Sequence, residues 1–175
     1  MDLLVRILAG PNGAGKTTFA DNYVPRSGEA PYFINADMIA RGLSPFAPEK
    51  AAFKAGRLML MEMEDLTRQR VGFTFESTLS GRSWIRWISR WRTAGYWVEI
   101  VYLGLSSAEL AVRRVAFRVE QGGHGVAEEV IRRRYSKSLQ NFHGIYKSLV
   151  DSWFFYNNDD DSRDPVLVDL GGRDE

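Results

Sequence analysis

Gly10-Pro11-Asn12-Gly13-Ala14-Gly15-Lys16-Thr17 places two glycines, a lysine and a hydroxyl in the order G-x-x-x-x-G-K-[ST]. Glycines let successive backbone N–H groups point inward at phosphate oxygens, where a Cβ would obstruct the approach. A lysine adds a mobile charge for β- and γ-phosphates, and a threonine hydroxyl is a ligand for Mg²⁺. Gly10, Pro11, Asn12, Gly13, Ala14, Gly15, Lys16, Thr17 and Thr18 are therefore the candidate nucleotide contacts, with Lys16 also catalytic and Thr17 the metal ligand. The flanks fit. Leu3 to Ala9 is a nearly continuous apolar run, as in a strand buried on both faces. Thr18 to Val24 predicts a helix, which should stop before Pro25.

Phosphoryl transfer also needs a base near the acceptor and positive charge on the migrating group. Tyr32-Phe33-Ile34-Asn35-Ala36-Asp37 predicts a second strand with an acid at its C-terminal end, where ligands sit in open α/β sheets. Asp37 is the candidate base and an acceptor contact. It is equally suited to cap a helix starting near Met38. Phe73 to Thr78 predicts a third strand ending in Glu76, a residue for the magnesium hydration shell or for the acceptor. Arg82, in the loop after that strand, is a further candidate substrate contact.

The cationic groups come later. Ser106 and Glu109 have the spacing of a capping box, opening a helix that carries Arg113, Arg114 and Arg118. Gly122-Gly123-His124-Gly125 interrupts, and a second helix starts near Val126 with Arg132, Arg133 and Arg134. Two arginine-bearing helices around a glycine hinge, roughly residues 106–150, predict a lid closing over phosphates, for which the planar guanidinium is suited. Successive helical residues point about 100° apart, so the three adjacent arginines cannot share a phosphate. Arg134 lies nearest the apolar stripe of Ile131, Tyr135, Leu139, Phe142 and Tyr146, so it joins Arg118 as a catalytic candidate. His124 fits a hinge residue better than a phosphate contact.

The other elements position these groups. A long helix over residues 49–70, a tryptophan-bearing helix over 83–93, a strand over 97–105, another over 152–158 and a short edge strand at 165–170 complete the pattern. Trp84, Trp87 and Trp91 have the spacing of a packed face. Strands alternating with helices after a phosphate loop predict an α/β fold. It is of the P-loop NTPase, nucleotide-kinase-like type: a three-layer sandwich on a mostly parallel sheet of about five strands, in a single domain over residues 1–175.

Composition removes other classes. With 175 residues, 45% hydrophobic and a net charge of +1, no global field favours nucleic acid or membrane. The absence of cysteine excludes disulfides and thiolate chemistry, and two histidines are too few for a histidine cage. No stretch approaches a membrane span, and the apolar start runs straight into the phosphate loop, so the expected location is cytoplasmic.

Taken together, the phosphate loop, Asn35-Ala36-Asp37, Glu76-Ser77-Thr78-Leu79-Ser80-Gly81, the arginine segment from Arg114 to Arg134 and Ser138-Leu139-Gln140-Asn141 resemble the zeta toxin-like kinases. The resemblance covers most of the chain. It implies ATP and Mg²⁺ as cofactors and the 3′-hydroxyl of the amino sugar in UDP-N-acetylglucosamine as acceptor. It also implies Asp37 as base, Glu76 and Thr78 near the sugar, Arg118 as a transition-state arginine, and an antitoxin as protein partner. The family's second lid arginine falls where this chain has Gly123-His124-Gly125. The alternative is a nucleotide-dependent switch or ATPase without a small-molecule acceptor.

Overall fold

The computed structural model describes residues 3–27, 30, 32–123 and 125–173. Six strands form one sheet in the order β2-β3-β1-β4-β5-β6. They are β1 (Leu4–Ala9), β2 (Tyr32–Ile34), β3 (Phe73–Ser77), β4 (Trp97–Gly104), β5 (Ser152–Asn157) and β6 (Val166–Gly172). All neighbours run parallel except β5 and β6. The sheet thus holds six strands where about five were expected, the sixth being the antiparallel edge strand.

Among the described residues six α-helices accompany it: α1 (Lys16–Ser27), α2 (Ala36–Leu43), α3 (Pro48–Gln69), α4 (Trp84–Thr93), α5 (Ala108–Glu120) and α6 (Glu128–Gly144). α1 continues past Pro25 rather than stopping before it. A proline removes one N–H from a helix but leaves the residues after it free to stay helical. α5 is capped by Ser107, whose Oγ accepts from the Leu110 N–H at 3.1 Å. The expected capping box on Ser106 does not form. The Ser106 N–H goes to Asp159 Oδ1 at 2.8 Å, and Glu109 pairs with Arg132.

Two apolar cores, one on each face of the sheet, make the sandwich. On one face Val5, Ile7, Phe73, Phe75, Val98 and Ile100 pack against α3, α4 and the end of α6. On the other, Leu8, Val101 and Leu103 pack against α1, α5 and the start of α6. Trp91 of α4 is fully buried, and its Nε1–H donates to Thr67 Oγ1 at 3.1 Å, so the tryptophan stripe serves packing. α2 and α3 meet through Ala40, Ala51 and Ala55, small enough for close approach.

Because β1 lies between β3 and β4, the chain leaves it in one direction for β2 and β3 and in the other for β4 and β5. The loops after the parallel strands gather at this switch point. One of them, after β3, is held from below. Buried Asn141 of α6 donates from Nδ2 to the Leu79 carbonyl at 2.8 Å, and the Tyr146 hydroxyl donates to the Gly81 carbonyl at 2.7 Å. Leu79 itself sits at φ 51°, a strained value for a side-chain-bearing residue. Replacing Asn141→Leu strands a buried carbonyl. Urea unfolding is expected to show a loss of about 1–3 kcal/mol, and an unchanged midpoint would contradict this support.

Candidate active site

The phosphate loop is built against its neighbours. Gly10 adopts φ 142°, and a Cβ there would lie 2.3 Å from the Leu103 carbonyl oxygen of β4. Gly13 adopts φ 80°, and a Cβ would lie 2.9 Å from the Ala111 oxygen of α5. Arg114 and Asn158 brace the loop from the far side. Asn158 Nδ2 donates to the Ala14 carbonyl at 2.8 Å. The Arg114 guanidinium donates to the Asn158 and Asp159 carbonyls at 2.6 and 3.0 Å and pairs with Asp161. Arg114 is thereby a clamp between loops as well as a wall of the cavity above them.

Lys16 is buried. Its ammonium donates to the Gly10 and Pro11 carbonyls at 3.0 and 2.9 Å and lies 3.6 Å from Glu76 Oε1. Burial holds its pKa below the ordinary lysine range, while Glu76 and Asp37 pull it back up. Glu76 is the hub. Its Oε2 accepts from the Thr17 hydroxyl at 3.0 Å and from Asn35 Nδ2 at 2.6 Å. Asn35 in turn caps α2, its Oδ1 accepting from the Asp37 and Met38 N–H groups at 2.8 and 3.2 Å. The cap of α2 is therefore Asn35 and not Asp37. Asp37 stands in the first turn of α2 with its carboxylate exposed.

A cavity of about 420 Å³ opens above these groups. Its walls include Asn12, Gly13, Gly15, Lys16, Thr17 and Thr18 from the loop and Asp37, Glu76 and Thr78 from the strand ends. Arg114, Arg118 and Arg134 close it from the helices. Gly10, Pro11 and Ala14 support the loop from beneath rather than line it. Arg82 lies outside the cavity, exposed before α4. Of the adjacent arginines, only Arg134 reaches the cavity. Arg132 is held outside by Glu109 and Glu128, and Arg133 is exposed. His124 lies outside the described residues.

Two contributors went unread in the sequence. Asn35 lies within one of the motifs, and asparagine before a helix is a recognisable cap signal. Phe117 stands one residue before Arg118 and lines the cavity while 63% exposed, and no spacing rule singles it out.

The cradle fits a magnesium-bound triphosphate. α1 has no acid in its own first turn, and its positive end faces the cavity beside Gly15, Lys16 and Thr17. The Thr17 hydroxyl and Glu76 carboxylate are oxygen donors suited to a hard divalent cation. Among the described residues no cluster of three acidic or histidine side chains offers another metal site. No helix among them is long and apolar enough to cross a membrane.

Comparison with known proteins agrees with this geometry. A family model described as AAA domain matches residues 5–144. An uncharacterized protein of Haemophilus influenzae is 33% identical over 126 residues, covering 72% of this chain and 88% of that one. Among solved structures, one from the PezAT chromosomal toxin–antitoxin system of Streptococcus pneumoniae superposes with a TM-score of 0.69 at 16% identity. That match covers 97% of this chain and 72% of the other. The AvrRxo1-ORF1:-ORF2 structure with ATP gives a TM-score of 0.73 at 15% identity. It covers 97% of this chain, which spans only 58% of the length of that one. At these identities the likeness is one of fold, and it matches the fold that the motifs' resemblance implied. The chain belongs to the AAA domain family and has a P-loop, nucleotide-kinase-like α/β sandwich, the fold it shares with the PezAT structure.

Proposed function

We propose that this protein is an ATP- and Mg²⁺-dependent phosphotransferase of zeta toxin type, moving the γ-phosphate of ATP to a hydroxyl of a small acceptor. The observation that carries this is the placement of Asp37. Its exposed carboxylate, without a hydrogen bond or ion pair among the described residues, faces the same cavity as Lys16, Thr17, Arg118 and Arg134. A nucleotide switch needs the cradle but no unpartnered base beside it.

In this account Asp37 takes the proton of the acceptor hydroxyl as its oxygen attacks the γ-phosphorus. The bond to the bridging oxygen breaks, and ADP carries away the electron pair. Lys16 and the two arginines offset charge on the migrating group. Thr17 and Glu76 would hold Mg²⁺, which neutralises β- and γ-oxygens when bound. α5 and α6 act as the lid, in one domain spanning residues 1–175. Resemblance to zeta toxins supports UDP-N-acetylglucosamine as the acceptor, and the fold shared with the PezAT structure supports an antitoxin partner. A cytoplasmic location belongs to the same proposal.

Asp37→Asn is expected to lower kcat by about a hundred- to ten-thousand-fold, while calorimetry shows ATP affinity nearly intact. Transfer at the normal rate in that variant would sink the assignment. Lys16 makes a second prediction. Its pKa is depressed in the free protein, and a bound triphosphate supplies negative charge that raises it. Between the two values, binding takes up a proton, so ATP affinity falls as pH rises through that window. Calorimetry in buffers of different ionisation enthalpy should register the uptake. Heats independent of buffer across that window would argue against a buried, phosphate-facing Lys16.

A further inference from the structure

A second cavity, of about 390 Å³, adjoins the first and shares Thr17, Asn35, Asp37 and Arg118 with it. Its remaining wall comes from the corner between α2 and α3 and from the turn at the end of α5. Arg41 stands in the last turn of α2 and Glu49 in the first turn of α3. Neither makes a side-chain hydrogen bond or ion pair among the described residues. Arg57, Arg82, Arg86, Arg113, Arg133 and Arg134 likewise hold no carboxylate among the described residues, but none of them lines this cavity, and Arg41 does.

Glu76, by contrast, is fully engaged with Lys16, Thr17 and Asn35. A carboxylate so committed is poorly placed to recognise an acceptor. Asp37 and Arg41 are four residues apart on α2, so they share a face about 6 Å apart along the axis. A hydroxyl at Asp37 therefore leaves room for an anionic group at Arg41, roughly one helical turn away.

We propose that the acceptor is an anionic polyol, bound in this second cavity with Arg41 holding its phosphate or carboxylate and Glu49 accepting its spare hydroxyls. This rests on the kinase assignment for Asp37 and the phosphate loop. The guanidinium pairs with either kind of anion through two parallel hydrogen bonds. Both a free sugar phosphate or sugar acid and the diphosphate of a nucleotide sugar meet the requirement.

Matched acceptors test it, with γ-labelled ATP as donor: N-acetylglucosamine 1-phosphate against N-acetylglucosamine, and gluconate against glucose. The charged member of a pair should have the higher kcat/KM by about tenfold or more. In Arg41→Ala that preference should vanish through KM, with kcat and the KM for ATP retained, and Arg41→Lys should recover part of it. UDP-N-acetylglucosamine, run beside the sugar phosphate, separates the two sources of the anion. Equal use of charged and neutral members, or a KM indifferent to Arg41→Ala, overturns the proposal and leaves the kinase assignment standing. Calorimetry of N-acetylglucosamine 1-phosphate with a non-hydrolysable ATP analogue separates the converse failure. Arg41-dependent binding without transfer supports the anion site and contradicts the kinase. Neither binding nor transfer for any member overturns both.

Discussion

The site depends on one constraint, the burial of Lys16 beneath a loop packed closely against its neighbours. Gly10 is pressed against the Leu103 carbonyl and Gly13 against that of Ala111. A side chain at either place would push the loop off the sheet or off α5. Asn158 and Arg114 fasten it from the other side. Within this frame the ammonium of Lys16 rests on two carbonyls of its own loop. A buried charge is costly unless paired, and Glu76 is the carboxylate within reach.

Glu76 ties the rest together. One carboxylate meets the lysine, the threonine hydroxyl and Asn35, and Asn35 caps the helix that carries Asp37 and Arg41. The position of the candidate base is thus linked to the phosphate loop through two side chains. A change at Asn35 would release both the cap of α2 and one bond to Glu76. Coupling of this kind lets a short chain hold donor and acceptor groups in register with few residues.

How much of this was legible in the sequence follows from which interactions are local. Gly10 to Thr17 could be read directly because its residue types are set by backbone geometry and phosphate chemistry. The parallel sheet followed from apolar runs alternating with helical patterns, and the tryptophans of α4 were recognisable as packing from their spacing. Interactions distant in sequence were harder. Arg114 gives no sign that it clamps carbonyls 44 and 45 residues away. Asp37 reads as the cap of α2, and only the fold shows Asn35 in that role. Arg82 has suitable chemistry but lies outside the cavity. The sixth strand was read as an edge, yet left out of the expected five. Arg41 and Glu49 carry no motif, and only the meeting of α2 with α3 brings them to one wall.

The proposed chemistry sends the γ-phosphoryl group to an organic hydroxyl rather than to water. Turnover of ATP in water enriched in heavy oxygen, with anionic polyols and nucleotide sugars present, tests this most directly. The account predicts a phosphorylated acceptor by mass spectrometry, its phosphate free of oxygen from the solvent. Inorganic phosphate carrying one solvent oxygen, as the only product across the acceptors, would contradict it.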